Sequence, residues 1–151
     1  MTTAAFSTPE AAEAAFYAAF AATNLGGMAM VWHAGDNARC IHPGGDVLRG
    51  AGAVLESWRQ IFAGAAAPTV RHRLLHRTTA AEVSIHLVEE RIGPAAADTS
   101  GLTRVLATNV YARTGDGWRM VLHHATLPLV EDREQADAGH GNQAAPGGRL
   151  H

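Results

Sequence analysis

Two strand-like runs in the stretch 106–128, LATNVYARTGDGWRMVLHHATLP, each carry a polar residue where a core strand is apolar: Asn109 in the first and His124 in the second. A buried amide or imidazole is costly unless something hydrogen-bonds it, so such residues on an inward face point to a pocket. An imidazole titrates at about pH 6.5, and a desolvated one is neutral at pH 7 and suited to general-base work. A neutral asparagine can donate to a carbonyl or enolate oxygen. His42, in the run ARCIH, is the third candidate.

Strand parity ties the three together. Residues two apart share a face, so Ala38, Cys40 and His42 point one way, Val105, Ala107, Asn109 and Tyr111 another common way, and Trp118, Met120, Leu122, His124 and Thr126 a third. If these faces enclose one cavity, His42, Asn109 and His124 converge in it. Phe16, Phe20 and Trp58 are then expected as its apolar lining from the helices, with Tyr17 beside that lining and Tyr111 and Leu122 contributed by the strands. Glu89 is expected near the cavity mouth, because it follows Val83, Ile85 and Leu87 in the inward parity. A satisfied core histidine or a solvated strand end is the alternative role for each of these residues.

Other chemistries fit less well. Cys40 and His42 lie two apart on a strand, parallel at about 6–7 Å, so a thiolate–imidazole pair is less expected than a packed thiol. Nine histidines invite a metal, yet their spacing matches no ligand motif. We therefore expect no metal site; the set with the best claim would be His42, His124 and Glu89. No redox cofactor motif is present.

The elements that must hold these residues are helices first and strands afterwards. Ser7 or Thr8, followed by Pro9 and Glu10, forms a helix start running to about Thr23, with the apolar stripe Ala12, Phe16, Ala19, Phe20 and Thr23. Asn24 opens a shorter helix over 25–32. A strand over 38–42 ends at Pro43, an extended piece covers 47–49, and Gly50 opens a helix to about Phe62 with Val54, Leu55, Trp58, Ile61 and Phe62 buried. The period then changes to two: strands are expected over 70–78, 83–91, 102–113 and 118–127, the last two joined at Thr114–Gly117. This is an α+β pattern ending in an antiparallel meander.

The chain has 151 residues, 12 basic and 14 acidic, a formal charge of -2 and one cysteine. That size suits one domain over 1–130. Glycine, alanine and charge without periodicity mark 131–151 as a tail. The near-neutral balance, with no basic stripe, argues against nucleic acid as partner. Glu10 and Glu13 interrupt the alanine-rich start where a signal peptide needs an unbroken apolar run, and no stretch reaches the roughly 18 apolar residues of a membrane span, so a cytoplasmic protein is expected.

The element order, with IHPGG at 41–45, ATNVY at 107–111 and GWRMVLHHA at 117–125, resembles the SnoaL-like branch of the NTF2-like superfamily over about residues 9–129. The resemblance implies a cone-shaped half-barrel, a curved sheet wrapping a long helix around a deep apolar pocket, and a homodimer formed sheet to sheet. The superfamily holds ketosteroid isomerases, polyketide cyclases and dehydratases beside non-catalytic association domains, so fold alone does not give function. Compared with ketosteroid isomerases, His42 stands at the aspartate base and Asn109 near the protonated aspartic acid of the oxyanion hole. Phe16 stands where the tyrosine of that hole is required. Each lost donor costs on the order of 3 kcal/mol in the transition state, which argues against steroid isomerisation.

Two readings follow. One is a binding protein for a small apolar or carbonyl-bearing molecule, with His42 moving a proton, Asn109 holding an oxyanion and His124 orienting, in an isomerisation, cyclisation or dehydration that needs no cofactor. The other is a non-catalytic dimerisation or accessory domain.

Overall fold

The structure, a computed structural model, describes residues 6–129 apart from 65, 96 and 97. The tail expected over 131–151, and the domain boundary at 130, lie outside the described residues.

Helix α1, Pro9–Ala22, begins as its sequence dictates: the Thr8 hydroxyl accepts from the Ala11 amide at 3.0 Å, and Pro9 occupies the first turn, where a missing N–H costs nothing. Thr23 ends it in the left-handed region, at φ 50°. Asn24 then caps α2, Leu25–Val31, by accepting from the Gly27 amide at 3.0 Å. After the short strands β1, Arg39–Ile41, and β2, Leu48–Arg49, comes α3, Gly50–Ala63, which buries Val54 and Trp58. Ile61, expected on that buried face, is 43 % exposed.

Four long strands follow: β3, Thr69–Thr79; β4, Val83–Gly93; β5, Thr103–Thr114; and β6, Gly117–Thr126. They form the expected antiparallel meander, and the Thr114–Gly117 turn closes on Gly117 at φ 92°, a backbone that a side chain would strain. β1 joins β6 in parallel, giving one unclosed, curved, mixed sheet of order β2-β1-β6-β5-β4-β3. This is an α+β cone-like fold, with the helices laid on one face of the sheet.

The core lies between that face and α1. Phe16 sits at its centre, meeting Trp58 edge-on at 5.5 Å between ring centroids, Trp32 at 6.5 Å and Tyr17 at 4.9 Å. Trp58 also meets Phe20 at 5.0 Å. The expected roof residues thus pack against one another. Truncating a ring at such a site removes dispersion contacts on every side and costs about 3–5 kcal/mol.

Two features reverse the parity expectations. In β6 the pairing runs Val110↔Leu122 and then Tyr111↔Met120, so Val121 is an extra, bulged residue. Everything after the bulge changes face: His123 and Ala125 turn in with Trp118 and Met120, while Leu122, His124 and Thr126 go to the opposite face. In β4 the inner face buries Ser84, His86, Val88 and Glu90, whereas Val83, Ile85 and Leu87 are about two-fifths exposed on the outer face, where Glu89 is buried beneath its arginine partners. Polarity alone would place the apolar set inward, but here His86 and Glu90 have partners on α1 and the apolar set faces out. Among the described residues no helix is long and apolar enough to cross a membrane.

Candidate functional site

Helix α1 brings two polar side chains to the sheet, Glu13 and Tyr17, one turn apart and therefore on one face. The inner faces of β4 and β5 meet them with His86, Glu90, Asn109 and Tyr111. Glu13 is a convergence point. Its Oε1 accepts from the Tyr111 hydroxyl at 2.9 Å and from Asn109 Nδ2 at 3.1 Å, and its Oε2 pairs with His86 Nδ1 at 2.8 Å. Behind His86, Nε2 lies 2.9 Å from the Ser84 hydroxyl, itself 2.8 Å from Thr79 Oγ1.

Tyr17 donates to Glu90 Oε2 at 2.6 Å and accepts from Asn109 Nδ2 at 2.9 Å. Asn109 Oδ1 in turn accepts from His123 Nδ1 at 2.6 Å. All of these side chains are buried, Glu90 to 1 % and His123 to 2 % exposure. The His72 ring covers the Tyr17 ring from the solvent side, stacked at 4.1 Å and 11°.

Burial sets the protonation of this array. Desolvation pushes the Glu90 carboxyl up to about 7; the Tyr17 hydroxyl pulls against this, and the nearby Glu13 charge adds to it. Both Glu90 forms are thus present at neutral pH. Burial and the same carboxyls hold the Tyr17 and Tyr111 hydroxyls well above their ordinary range, so both remain proton donors. His123 falls to about 3, chiefly through desolvation, with His42 and His124 adding to the effect, and is a neutral imidazole.

A second polar group lies beside Trp58. The Ser57 hydroxyl donates to the Val54 carbonyl at 2.6 Å, so it accepts from His42 Nε2–H at 2.9 Å, which leaves His42 Nδ1 as the lone-pair nitrogen. The His42 ring meets Trp58 edge-on at 5.0 Å, and burial lowers its pKa. Cys40 Sγ is 3.7 Å from His42 Nε2, but burial, with the Glu90 charge, pushes the thiol up to about 12 and keeps it protonated, as a packed core cysteine. The Trp58 indole N–H is buried and has no acceptor among the described residues.

Of the residues expected to converge, His42 and Asn109 turn inward, and the third inward imidazole is His123 rather than His124. His124 lines a shallow outer depression of about 200 Å³ with Leu75, Leu87, Leu106 and Thr126. Leu122 lies on the same outer face. Glu89 also faces outward, with Arg104 at 2.8 Å and Arg73 and Arg91 at 3.4 Å; burial raises its pKa, and the three guanidiniums outweigh burial and lower it overall. The set His42, His124 and Glu89 is therefore divided between two faces. No group of three or more metal-ligating side chains gathers among the described residues. Phe16, Phe20 and Trp58 form the packed interior, and Tyr17 and Tyr111 enter the polar array itself.

Glu13, His86, Ser84, Glu90 and His123 escaped the sequence reading. Glu13 had a signal: it precedes Tyr17 by four residues on the alanine-rich helix, beside the stripe formed by Ala12, Phe16 and Phe20. The hydroxyl that Phe16 lacks is supplied one residue later, because Tyr17 reaches Asn109.

Residues 10–130 match the SnoaL-like domain. The chain belongs to the SnoaL-like domain family. A Thiobacillus denitrificans structure, provisionally named a calcium/calmodulin-dependent protein kinase type II association domain, is 42 % identical; the match covers 83 % of this chain and 98 % of that one, at TM-score 0.78. A Streptomyces avermitilis structure, provisionally named a dehydratase from the NTF2-like family, is 29 % identical, covering 79 % and 93 % at TM-score 0.68. The F-box protein SKIP8 of Arabidopsis thaliana is 29 % identical over 115 residues, 73 % of this SnoaL-like chain and 45 % of that protein, so this chain spans less than half of that relative's length.

Proposed function

We propose that this SnoaL-like protein binds a small carbonyl-bearing or otherwise weakly polar molecule and exchanges a proton with it through Glu90. The observation that carries this reading is the buried pair of carboxylates, Glu13 and Glu90, bridged by Tyr17 and Asn109. Two buried acids cost several kcal/mol each before compensation, and apolar residues of the same volume would serve stability as well or better. A carboxyl held at about 7 can both take and return a proton at neutral pH.

In this reading Glu90 abstracts a proton beside the carbonyl and returns it elsewhere on the molecule, an isomerisation, or returns it to a leaving hydroxyl, a dehydration. Tyr17 holds the Glu90 carboxylate in place. Asn109 uses all its polar atoms within the protein and acts as a scaffold rather than an oxyanion donor. Among the described residues two buried indole N–H groups lack an acceptor, those of Trp32 and Trp58; the Trp58 donor lies beside the neutral His42, and a carbonyl oxygen there would relieve its unmet hydrogen bond. Native mass spectrometry of gently purified protein, followed by thermal-shift screening of small ketones, enones and hydroxy-carbonyl compounds, tests this. A bound molecule or a stabilising compound supports the reading; an empty protein that no compound stabilises contradicts it.

The outer sheet face favours a second role alongside the first, a homodimer. Leu75, Ile85 and Leu87 are 40–45 % exposed and continue onto Leu106 and the His124 depression. A contiguous apolar sheet face of this kind fits a second copy of the chain. Sedimentation analysis tests it: a dimer is expected, and a monomer at tens of micromolar contradicts it.

A further inference from the structure

We infer that His86, backed by Ser84, is a positioning residue that clamps Glu13 and thereby directs the titrating proton of the buried carboxyl pair to Glu90. The two acids are unequally served. Glu13 takes contacts from three groups, His86 at Oε2 and Tyr111 and Asn109 at Oε1, whereas Glu90 takes the Tyr17 hydroxyl at Oε2. Donors aimed at a carboxylate favour its charged form, so the better-served member of a pair keeps the charge and the other receives the proton.

His86 can hold this position because its ring is fixed at both nitrogens and on one face. Nδ1 meets Glu13, Nε2 meets the Ser84 hydroxyl that Thr79 supports, and the Tyr111 ring lies 5.0 Å away. Ser84 and His86 are wholly buried, so this chain of contacts is built into the β3–β4 ladder rather than hung from the surface.

The groups facing the pair can be named by element. α1 supplies Glu13 and Tyr17; β1 supplies the neutral Cys40 thiol, which Glu90 perturbs; β3 supplies His72, paired in register with Glu90, and Arg77, paired with His86 and bonded to Glu10; β4 supplies His86 and Glu90; β5 supplies Tyr111 and the uncharged Asn109; β6 supplies the neutral His123 behind Asn109. Of these, His86 is the imidazole that touches a carboxylate of the pair.

This inference rests on Glu90 being the proton-exchanging group, but its test needs no ligand, so it can fail while the binding experiment succeeds, and the reverse. Protein labelled with 13C at the glutamate carboxyls is titrated by NMR as wild type, His86→Phe, His86→Gln and Ser84→Ala, with Glu13→Gln and Glu90→Gln for assignment. In wild type one buried carboxyl, that of Glu90, titrates near neutrality. In H86F the Glu90 midpoint is expected to move by more than about half a pH unit, the signature of two coupled acids sharing a proton. H86Q, which keeps a donor toward Glu13, restores most of the wild-type curve, and S84A shows the H86F change in weaker form. Should H86F fail to fold, S84A and H86Q carry the test. Unchanged Glu13 and Glu90 curves in the folded variants, with only stability lost, would overturn the inference.

Discussion

Glu90 and His123 pull the stability of this protein in opposite directions as pH changes. A carboxyl raised to about 7 binds its proton more tightly when folded, so its contribution is full below the unfolded value and is lost as pH rises toward 7. An imidazole lowered to about 3 works the other way: stability is full above the unfolded value of about 6.5 and is lost as pH falls. Between about pH 4.5 and 6.5 the two slopes, each about 1.4 kcal/mol per pH unit, oppose one another. Urea denaturation should therefore find these two groups cancelling in that window in wild type. In Glu90→Gln the His123 slope is left alone, and stability should rise by about 2–3 kcal/mol across the same window. A Glu90→Gln profile parallel to wild type would show that Glu90 does not hold its proton at neutral pH. At the same scale, Trp58→Phe removes an indole N–H that has no acceptor, so it should cost less than the 3–5 kcal/mol of a full ring truncation, about 1–2 kcal/mol by denaturation, while weakening ligand binding.

At the scale of elements, one bulge decides which histidine belongs to the interior. Deleting Val121 should remove the bulge, join Met120 directly to Leu122 in simple alternation and leave His123 inward on Asn109 and His124 outward. A loss of no more than about 2 kcal/mol is expected, with the imidazole signal of His123 still buried by NMR; a His123 signal that becomes solvent-exposed would mean that Val121 is not the inserted residue. The bulge also marks where the sequence stopped being informative. Helix starts, the Thr114–Gly117 turn and the element order were legible, since caps, glycines and periodicity are local signals. A bulge depends on how two strands pair, and in VLHHA nothing distinguishes the inserted residue from its neighbours. The inward faces of β1 and β5 followed from parity, so His42 and Asn109 were found. β4 failed for another reason: its apolar residues do face one way, but outward, and the polar set is inward because Glu13 and Tyr17 wait there on α1.

At the scale of the molecule, the two sheet faces differ in chemistry. The inner face holds a polar array under an aromatic core, and the outer face carries Leu75, Ile85 and Leu87 exposed beside the His124 depression. Replacing Leu87 by Arg would set two like charges together in a sheet-to-sheet homodimer, and sedimentation should find a monomer with the inner array intact. A dimer unchanged by Leu87→Arg would place any self-association elsewhere. Two solved structures similar to this chain carry provisional names of both kinds, one an association domain and one a dehydratase. The proton exchange proposed for Glu90 belongs to the inner sheet face. The measurement that tests it most directly is a ligand thermal-shift screen run in parallel on wild type and Glu90→Gln, followed by turnover of any hit. A carbonyl-bearing compound is expected that stabilises both proteins, by about 2.7 kcal/mol at a hundred times its dissociation constant, and is converted only by the one retaining Glu90. A compound turned over equally by Glu90→Gln, or no compound that stabilises either protein, would contradict it.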